Sequence, residues 1–243
     1  MRPWYRFIRW VFRNFFIRPL GKFKVIGAEN VPMSGPVLFA PIHVSHFDPP
    51  VVACASPRET HFMAKEELFK PPVFGPLIRS LGAFPVKRGQ NDTESIRRAI
   101  DILKSGHGLL VFPEGTRGDG KTMLPITLGV SMLAKKTGAK VVPVGIIGTH
   151  VVLPKGGSKV RRSPITVVFG QALTYEEMVA GAESAQVREA FVEKLGRMIA
   201  DACRTGGLDI KTASSTEPES PSLAGGTATE DSSPGAASIP THP

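Results

Sequence analysis

Over the first twenty positions bulky apolar residues are interrupted by arginine at a regular step. Arg2, Arg6, Arg9 and Arg13 are spaced four, three and four apart, while Trp4, Phe7, Ile8, Trp10, Val11, Phe12, Phe15 and Phe16 fill much of the remainder. That spacing predicts one amphipathic helix over 1–20 with its arginines along one face. Beyond it, short β-like runs alternate with helical stretches, which is the α/β pattern. Strands are predicted at 23–27, 36–41, 60–64, 83–86, 108–112, 140–146 and 165–169. Helices are predicted over 92–105, with Asp92 or Thr93 as cap and Gly106 as stop, over 128–137 before Gly138, and over 184–200. After Gly206 the apolar residues fade, and from Ala213 Ser, Thr, Pro, Gly, Ala and Glu dominate. The pattern therefore predicts one α/β domain over 21–206, with a helix before it and a disordered tail over 207–243.

Composition agrees with a folded body: 42% hydrophobic residues at a mean hydropathy of +0.01 describe a globular chain. The formal charge is +9, and its distribution says more than its size. All seven charged residues up to Lys24 are basic, whereas the tail carries Glu217, Glu219, Glu230 and Asp231 and no Lys or Arg. A basic body with a more basic end suits an anionic partner. For the first helix, that partner is expected to be an anionic lipid surface, with Trp4, Phe7 and Trp10 at the interface and Arg2, Arg6, Arg9 and Arg13 toward the headgroups. The same pattern also fits a helix packed on its own domain. A nucleic-acid arm fits less well, since bulky apolar groups outnumber those that contact phosphates and bases. No run of about 18 apolar residues is present, so neither a spanning helix nor an export signal is expected. Cys54 and Cys203 show no ligand-like spacing, and neither a disulfide framework nor a metal site is predicted. The expected location is peripheral or monotopic, on the cytoplasmic face of a membrane.

The candidate chemistry begins at the end of the second predicted strand, in His43-Val44-Ser45-His46-Phe47-Asp48. A neutral imidazole serves as general base near pH 7, and a carboxylate on its other nitrogen fixes the tautomer. An Asp ahead of Pro49-Pro50 is also an ordinary turn residue, so this spacing alone leaves both readings open. Ser45 lacks a Gly-x-Ser-x-Gly elbow and reads as a loop brace, and His46 as a residue that faces solvent or packs against the body. Further on, Phe112-Pro113-Glu114-Gly115-Thr116-Arg117 presents a Glu and an Arg on one turn. Between the two segments, Gly82-Ala83-Phe84 runs into Lys87 and Arg88. An Arg fork suits bidentate contact with phosphate, although an idle Glu114–Arg117 ion pair fits the same residues.

Taken in order, these segments resemble the motifs of the PlsC family of glycerolipid acyltransferases. The first motif stands as His43-x-Ser45-x-x-Asp48, the second as Gly82-x-Phe84 with Lys87 and Arg88, the third as Phe112 to Arg117, and the fourth as Val142-Pro143-Val144. Ala64-Lys65-Glu66-Glu67-Leu68-Phe69 is similar to a stretch that bacterial members carry between the first two. The resemblance implies a mixed β-sheet flanked by helices and transfer of a fatty acyl group to lysophosphatidate. The donor would be acyl-CoA or acyl-ACP, with no cofactor or metal and no acyl-enzyme. His43 would deprotonate the acceptor hydroxyl and Asp48 would orient His43. Lys65, Arg88 and Arg117 would hold the phosphate, and Glu114, Gly115 and Thr116 would position the glycerol. Two positions depart from the pattern: Ile42 stands where Asn is usual, and Thr127-Leu128 where a Lys often precedes Gly129. Another lysolipid or glycerol 3-phosphate as acceptor, and a non-catalytic membrane-binding protein with this fold, therefore stay open.

Overall fold

In the computed structural model, which describes residues 1–86 and 92–212, helix α1 (Pro3–Phe12) opens the chain. Proline is tolerated in its first turn because no backbone donor is needed there. A π turn (Arg13–Ile17) and a 3₁₀ turn (Arg18–Leu20) carry it on to Gly21. Then come β1 (Phe23–Ile26), β2 (Val37–Pro41), α2 (Asp48–Ala55), β3 (Thr60–Lys65), α3 (Phe74–Ser80), β4 (Ala83–Val86), α4 (Thr93–Lys104) and β5 (Gly108–Leu110). The rest is β6 (Thr122–Met123), α5 (Gly129–Thr137), β7 (Lys140–Ile147), α6 (Thr149–Val152), β8 (Ile165–Phe169), α7 (Tyr175–Met178), α8 (Val187–Thr205) and β9 (Lys211–Thr212).

Seven strands form one sheet in the order β1-β8-β7-β2-β5-β3-β4, and only the β7–β8 pair is antiparallel among the described residues. The sheet is thus mixed, as the resemblance implied. All five residues of β2 are buried, because it lies between β7 and β5 with helices over both faces. From β2 the chain turns through α2 to β3 on one side, while β7 lies on the other. The carboxyl end of β2 is therefore a point where the strand order diverges, the usual place for a site in an open α/β sheet. His43 follows β2 by two residues.

The predicted strands all form, with ends moved by a residue or two. Asp92 proves to be the cap of α4, accepting from the Ser95 amide at 3.0 Å, and Gly138 ends α5 at φ 65°. Three expectations are corrected. Asp48-Pro49-Pro50 opens α2 instead of a loop: both prolines fall in its first turn, and the apolar Val51–Ala55 run that follows carries no helical period to read. The helix predicted over 184–200 runs from Val187 to Thr205. The folded part also extends past Gly206, since Ile210 is buried and β9 pairs with β6. Residues 213–243, the remainder of the predicted tail, lie outside the described residues.

The N-terminal helix packs on the domain through Tyr5, whose buried hydroxyl shares a hydrogen bond with Thr60 Oγ1 at 3.1 Å. Its arginines do not all face outward, contrary to expectation. Arg2 pairs with Glu59 at 2.9 Å, Arg9 donates to the Cys54 carbonyl at 2.9 Å, and Arg13 lies over the Phe23 ring. The carbonyl that Arg9 meets is at the carboxyl end of α2, where the helix dipole favours a cation. What the helix presents outward is aromatic: Trp4, Phe7, Trp10 and Phe15 follow one another at 6.0, 6.5 and 6.0 Å between ring centres. Trp10 is 57% and Phe15 64% exposed.

Candidate active site

The segment between β2 and α2 is folded around one carboxylate oxygen. Asp48 Oδ2 accepts from His43 Nδ1 at 2.9 Å and from the Val44 and Ser45 amides at 2.7 Å each. Asp48 is fully buried and His43 only 6% exposed. Ser45 braces the turn as expected, its hydroxyl donating to the Leu153 carbonyl at 2.8 Å and accepting from the Phe47 amide at 3.2 Å. With Nδ1–H given to Asp48, Nε2 carries the free lone pair, and among the described residues nothing hydrogen-bonds to it. This is the tautomer of a general base.

The Phe112–Gly118 segment holds His43 in place. The Phe112 ring stacks on the imidazole at 3.7 Å between centres and 23° between planes. Glu114 Oε1 accepts from the His43 amide at 2.8 Å, and the His43 carbonyl accepts from the Gly118 amide at 2.7 Å. The other Glu114 oxygen accepts from the Leu124 amide at 2.9 Å, and the residue is 5% exposed. Glu114 thus ties three loops together, which departs from the expected contact with a glycerol. Its orientation follows from two backbone donors that have no other partner.

Burial pushes the Glu114 carboxyl above the usual range, against the lowering effect of its two amide hydrogen bonds. The folded protein therefore holds that proton more tightly than the unfolded chain. This group's contribution to stability falls as pH rises from the ordinary carboxylate value through the raised folded one. Glu114→Gln is expected to flatten that slope. It also turns an amide NH₂ toward one of the two backbone donors, at a cost of about 1–3 kcal/mol near neutral pH. Urea unfolding across a pH series measures both, and a variant curve parallel to wild type would contradict the assignment.

At the mouth of the site His46 faces solvent. Its pKa is lowered first by partial burial, then by the charge of Arg117, by the neighbouring His43 and by Lys65. The two cations meet there because Lys65 ends β3 and Arg117 follows the Gly115 turn, both at the sheet end that carries His43. Gly115 takes the left-handed conformation at φ 66° and is exposed with Thr116 at the tip. The structure therefore brings together His43, Asp48, Lys65, Gly115, Thr116 and Arg117. Arg88, with Lys87, lies outside the described residues. Ile42 is buried in the core, and Thr127 donates its amide to the Pro113 carbonyl at 2.8 Å beside Gly115. Among the described residues no three His, Cys, Asp or Glu side chains gather as a metal site.

A family model described as Acyltransferase matches residues 22–147, just over half of the chain, from β1 to the end of β7. The chain belongs to the Acyltransferase family. It is 30% identical over 159 residues to the chloroplastic 1-acyl-sn-glycerol-3-phosphate acyltransferase BAT2 of Brassica napus, covering 64% of this chain and 46% of that protein. A 1-acyl-sn-glycerol-3-phosphate acyltransferase of Bacillus subtilis is 28% identical over 181 residues, 74% of this chain and 87% of its own length. The chain thus spans about half the length of the plastid relatives, which include one from Arabidopsis thaliana matched over 44% of its length. Among solved structures, the crystal structure of the 1-acyl-sn-glycerophosphate acyltransferase PlsC from Thermotoga maritima superposes with a TM-score of 0.66 at 28% identity, covering 83% of each chain.

In this member of the family the partners missed by sequence reading are Phe112, Gly118, Leu124 and Leu153. Phe112 had a signal, since it opens the third motif as an aromatic directly ahead of a turn. The other three contribute only a backbone amide or carbonyl, and a backbone group leaves no mark in side-chain identity.

Proposed function

We propose that this chain transfers a fatty acyl group from a thioester, acyl-CoA or acyl-ACP, to the sn-2 hydroxyl of 1-acylglycerol-3-phosphate, giving phosphatidate. The observation that carries the reading is the buried His43–Asp48 pair with Nε2 left free beneath a mouth flanked by Lys65 and Arg117. His43 Nε2 takes the proton of the acceptor hydroxyl while Asp48 stabilises the imidazolium that forms. The hydroxyl oxygen attacks the thioester carbonyl, the tetrahedral intermediate collapses with loss of the C–S bond, and the proton passes to the departing thiolate. No acyl-enzyme is formed, and every proton is accounted for by one imidazole. Lys65 and Arg117, with Arg88, neutralise the acceptor's phosphate, and the exposed Gly115–Thr116 tip meets its glycerol. The printed names of the Brassica, Bacillus and Thermotoga relatives support this acceptor.

The test is a panel of lysophosphatidate, other lysolipids and glycerol 3-phosphate, each assayed for thiol release and esterified product with acyl-CoA and acyl-ACP of matched chain length. Lysophosphatidate is expected to be used in preference to the rest. Preference for another acceptor overturns the assignment, and no turnover with any of them leaves the non-catalytic reading.

We also propose that the protein works on an anionic leaflet through the outward aromatic row of α1. Among the described residues no helix is long and apolar enough to cross a membrane. Cys54 and Cys203 are free and buried, which suits the reducing, cytoplasmic side. Replacing Trp4, Phe7 and Trp10 together by Ser is expected to abolish flotation with anionic liposomes while the thermal midpoint falls only modestly, because the three residues are 49%, 53% and 57% exposed and the change removes the hydrogen bond that Trp4 Nε1 donates to Ser80 Oγ. Undiminished flotation rejects the helix as anchor.

A further inference from the structure

The stretch from Lys121 to Tyr175 contains eight Lys or Arg and no Asp or Glu. Four of these, Lys155, Lys159, Arg161 and Arg162, fall in the loop between α6 and β8, and all four are exposed. Among the described residues none of the four side chains has a hydrogen bond, ion pair or ring contact. A protein gathers unpaired like charges at some electrostatic cost, and an anionic partner offsets it.

The base of this loop is tied to the catalytic turn. The Leu153 carbonyl that begins it accepts the Ser45 hydroxyl, two residues from His43, and the Arg161 amide closes the loop on the Val152 carbonyl at 2.9 Å. Its other end abuts the exit of the N-terminal helical segment: the Ile165 amide donates to the Lys22 carbonyl at 2.8 Å, and Gly21 packs on Ser163 and Pro164. The loop therefore stands at the sheet end that carries His43, beside Lys22. Val160 is exposed between Lys159 and Arg161, at 55%, and Val151, in α6 just ahead of the loop, at 39%.

We infer that the 153–164 loop is a second contact with an anionic bilayer, one that holds the mouth of the catalytic site against the lipid surface. The inference rests on the membrane reading of α1 and adds a separate surface to it. A bilayer is favoured over the acidic surface of a carrier for two reasons. An exposed valine between two cations, Val160 between Lys159 and Arg161, suits an interface that is part charged and part apolar. The loop is also continuous with the end of the helix that presents the aromatic row. One attachment along α1 leaves the domain free to pivot about the helix, whereas a second at the site's rim fixes which way the opening faces.

The test uses the full chain with two vesicle compositions, phosphatidylcholine alone and an equal mixture with phosphatidylglycerol. The variants are Lys155→Gln, Lys159→Gln, Arg161→Gln and Arg162→Gln combined, and the Trp4, Phe7 and Trp10 to Ser variant. At about a fivefold effect for each cation near a charged surface, the loop variant is expected to bind mixed vesicles at least tenfold more weakly than wild type. Its binding to neutral vesicles and its turnover of a short-chain, monomeric acceptor should not change. Undiminished partition onto the mixed vesicles overturns the loop assignment alone, provided the helix variant loses it. If wild type binds neither vesicle, the membrane reading of α1 fails together with the loop. A raised KM for the soluble donor in the loop variant, with vesicle binding intact, assigns the loop to the carrier and overturns the bilayer contact.

Discussion

His43→Ala is expected to lower kcat by about 10²–10⁴-fold with lysophosphatidate and acyl-CoA, the range that a positioned general base contributes. The imidazole also stacks on Phe112, so some loss of stability accompanies the change, on the order of 1 kcal/mol for the lost stacking. The two effects are separable because the main-chain anchors of position 43 remain. Its amide still meets Glu114, its carbonyl still meets Gly118, and Asp48 keeps the Val44 and Ser45 amides. Unfolding in urea measures the structural part and single-turnover thiol release the catalytic part. His43→Gln gives a control that still offers Asp48 a donor without supplying a base. If either variant keeps more than a tenth of wild-type turnover, His43 is not the base.

Asp48→Asn comes next in size, with an expected loss of about 10²–10⁴-fold in kcat and little change in the KM for acceptor. Oδ2 takes three donors, whereas Oδ1 is buried without a hydrogen-bond partner. An Asn that keeps its oxygen in the Oδ2 position preserves the turn. It then places an NH₂ in the buried pocket where Oδ1 was and removes the charge that stabilises the imidazolium. An Asn turned the other way points NH₂ at Nδ1 and two backbone amides, which reverses the histidine tautomer and breaks the turn. Both orientations cost catalysis, and the second also destabilises. Asp48→Ala separates structure from charge, since it leaves the Val44 and Ser45 amides without an acceptor, at about 1–3 kcal/mol each. Unchanged kcat in Asp48→Asn reduces Asp48 to a structural capping role.

Much of the fold was legible because its elements have local signatures. Each strand of the large sheet was found from a short apolar run, and α4 and α5 from caps and glycine stops. The short helices α3, α6 and α7 escaped, and so did α2, whose Asp-Pro-Pro start has the composition of a turn and whose body is apolar on all sides. The end of the folded part escaped as well, because a single buried Ile210 and a two-residue strand carry too little pattern to be seen ahead of a polar tail. In the site, His43 and Asp48 were legible since only four residues separate them. The direction of Glu114 was not, because the amides it satisfies belong to His43 and Leu124.

By itself the sequence determined most of the elements, the order in which the four motifs follow one another, and the residue types present in the candidate site. These depend on period, on turn chemistry and on side-chain identity, all of which are local. Only the tertiary structure decided that Arg2, Arg9 and Arg13 turn to the domain and leave an aromatic row outside, and that Lys65 and Arg117 meet at one mouth. It likewise decided that the His43–Asp48 turn is tied to a basic loop through Ser45 and Leu153. Each of these turns on where a polar or charged group finds its partner. That partner is supplied by another segment, from ten residues away for Arg13 and Phe23 to over a hundred for Ser45 and Leu153, so no local pattern records it.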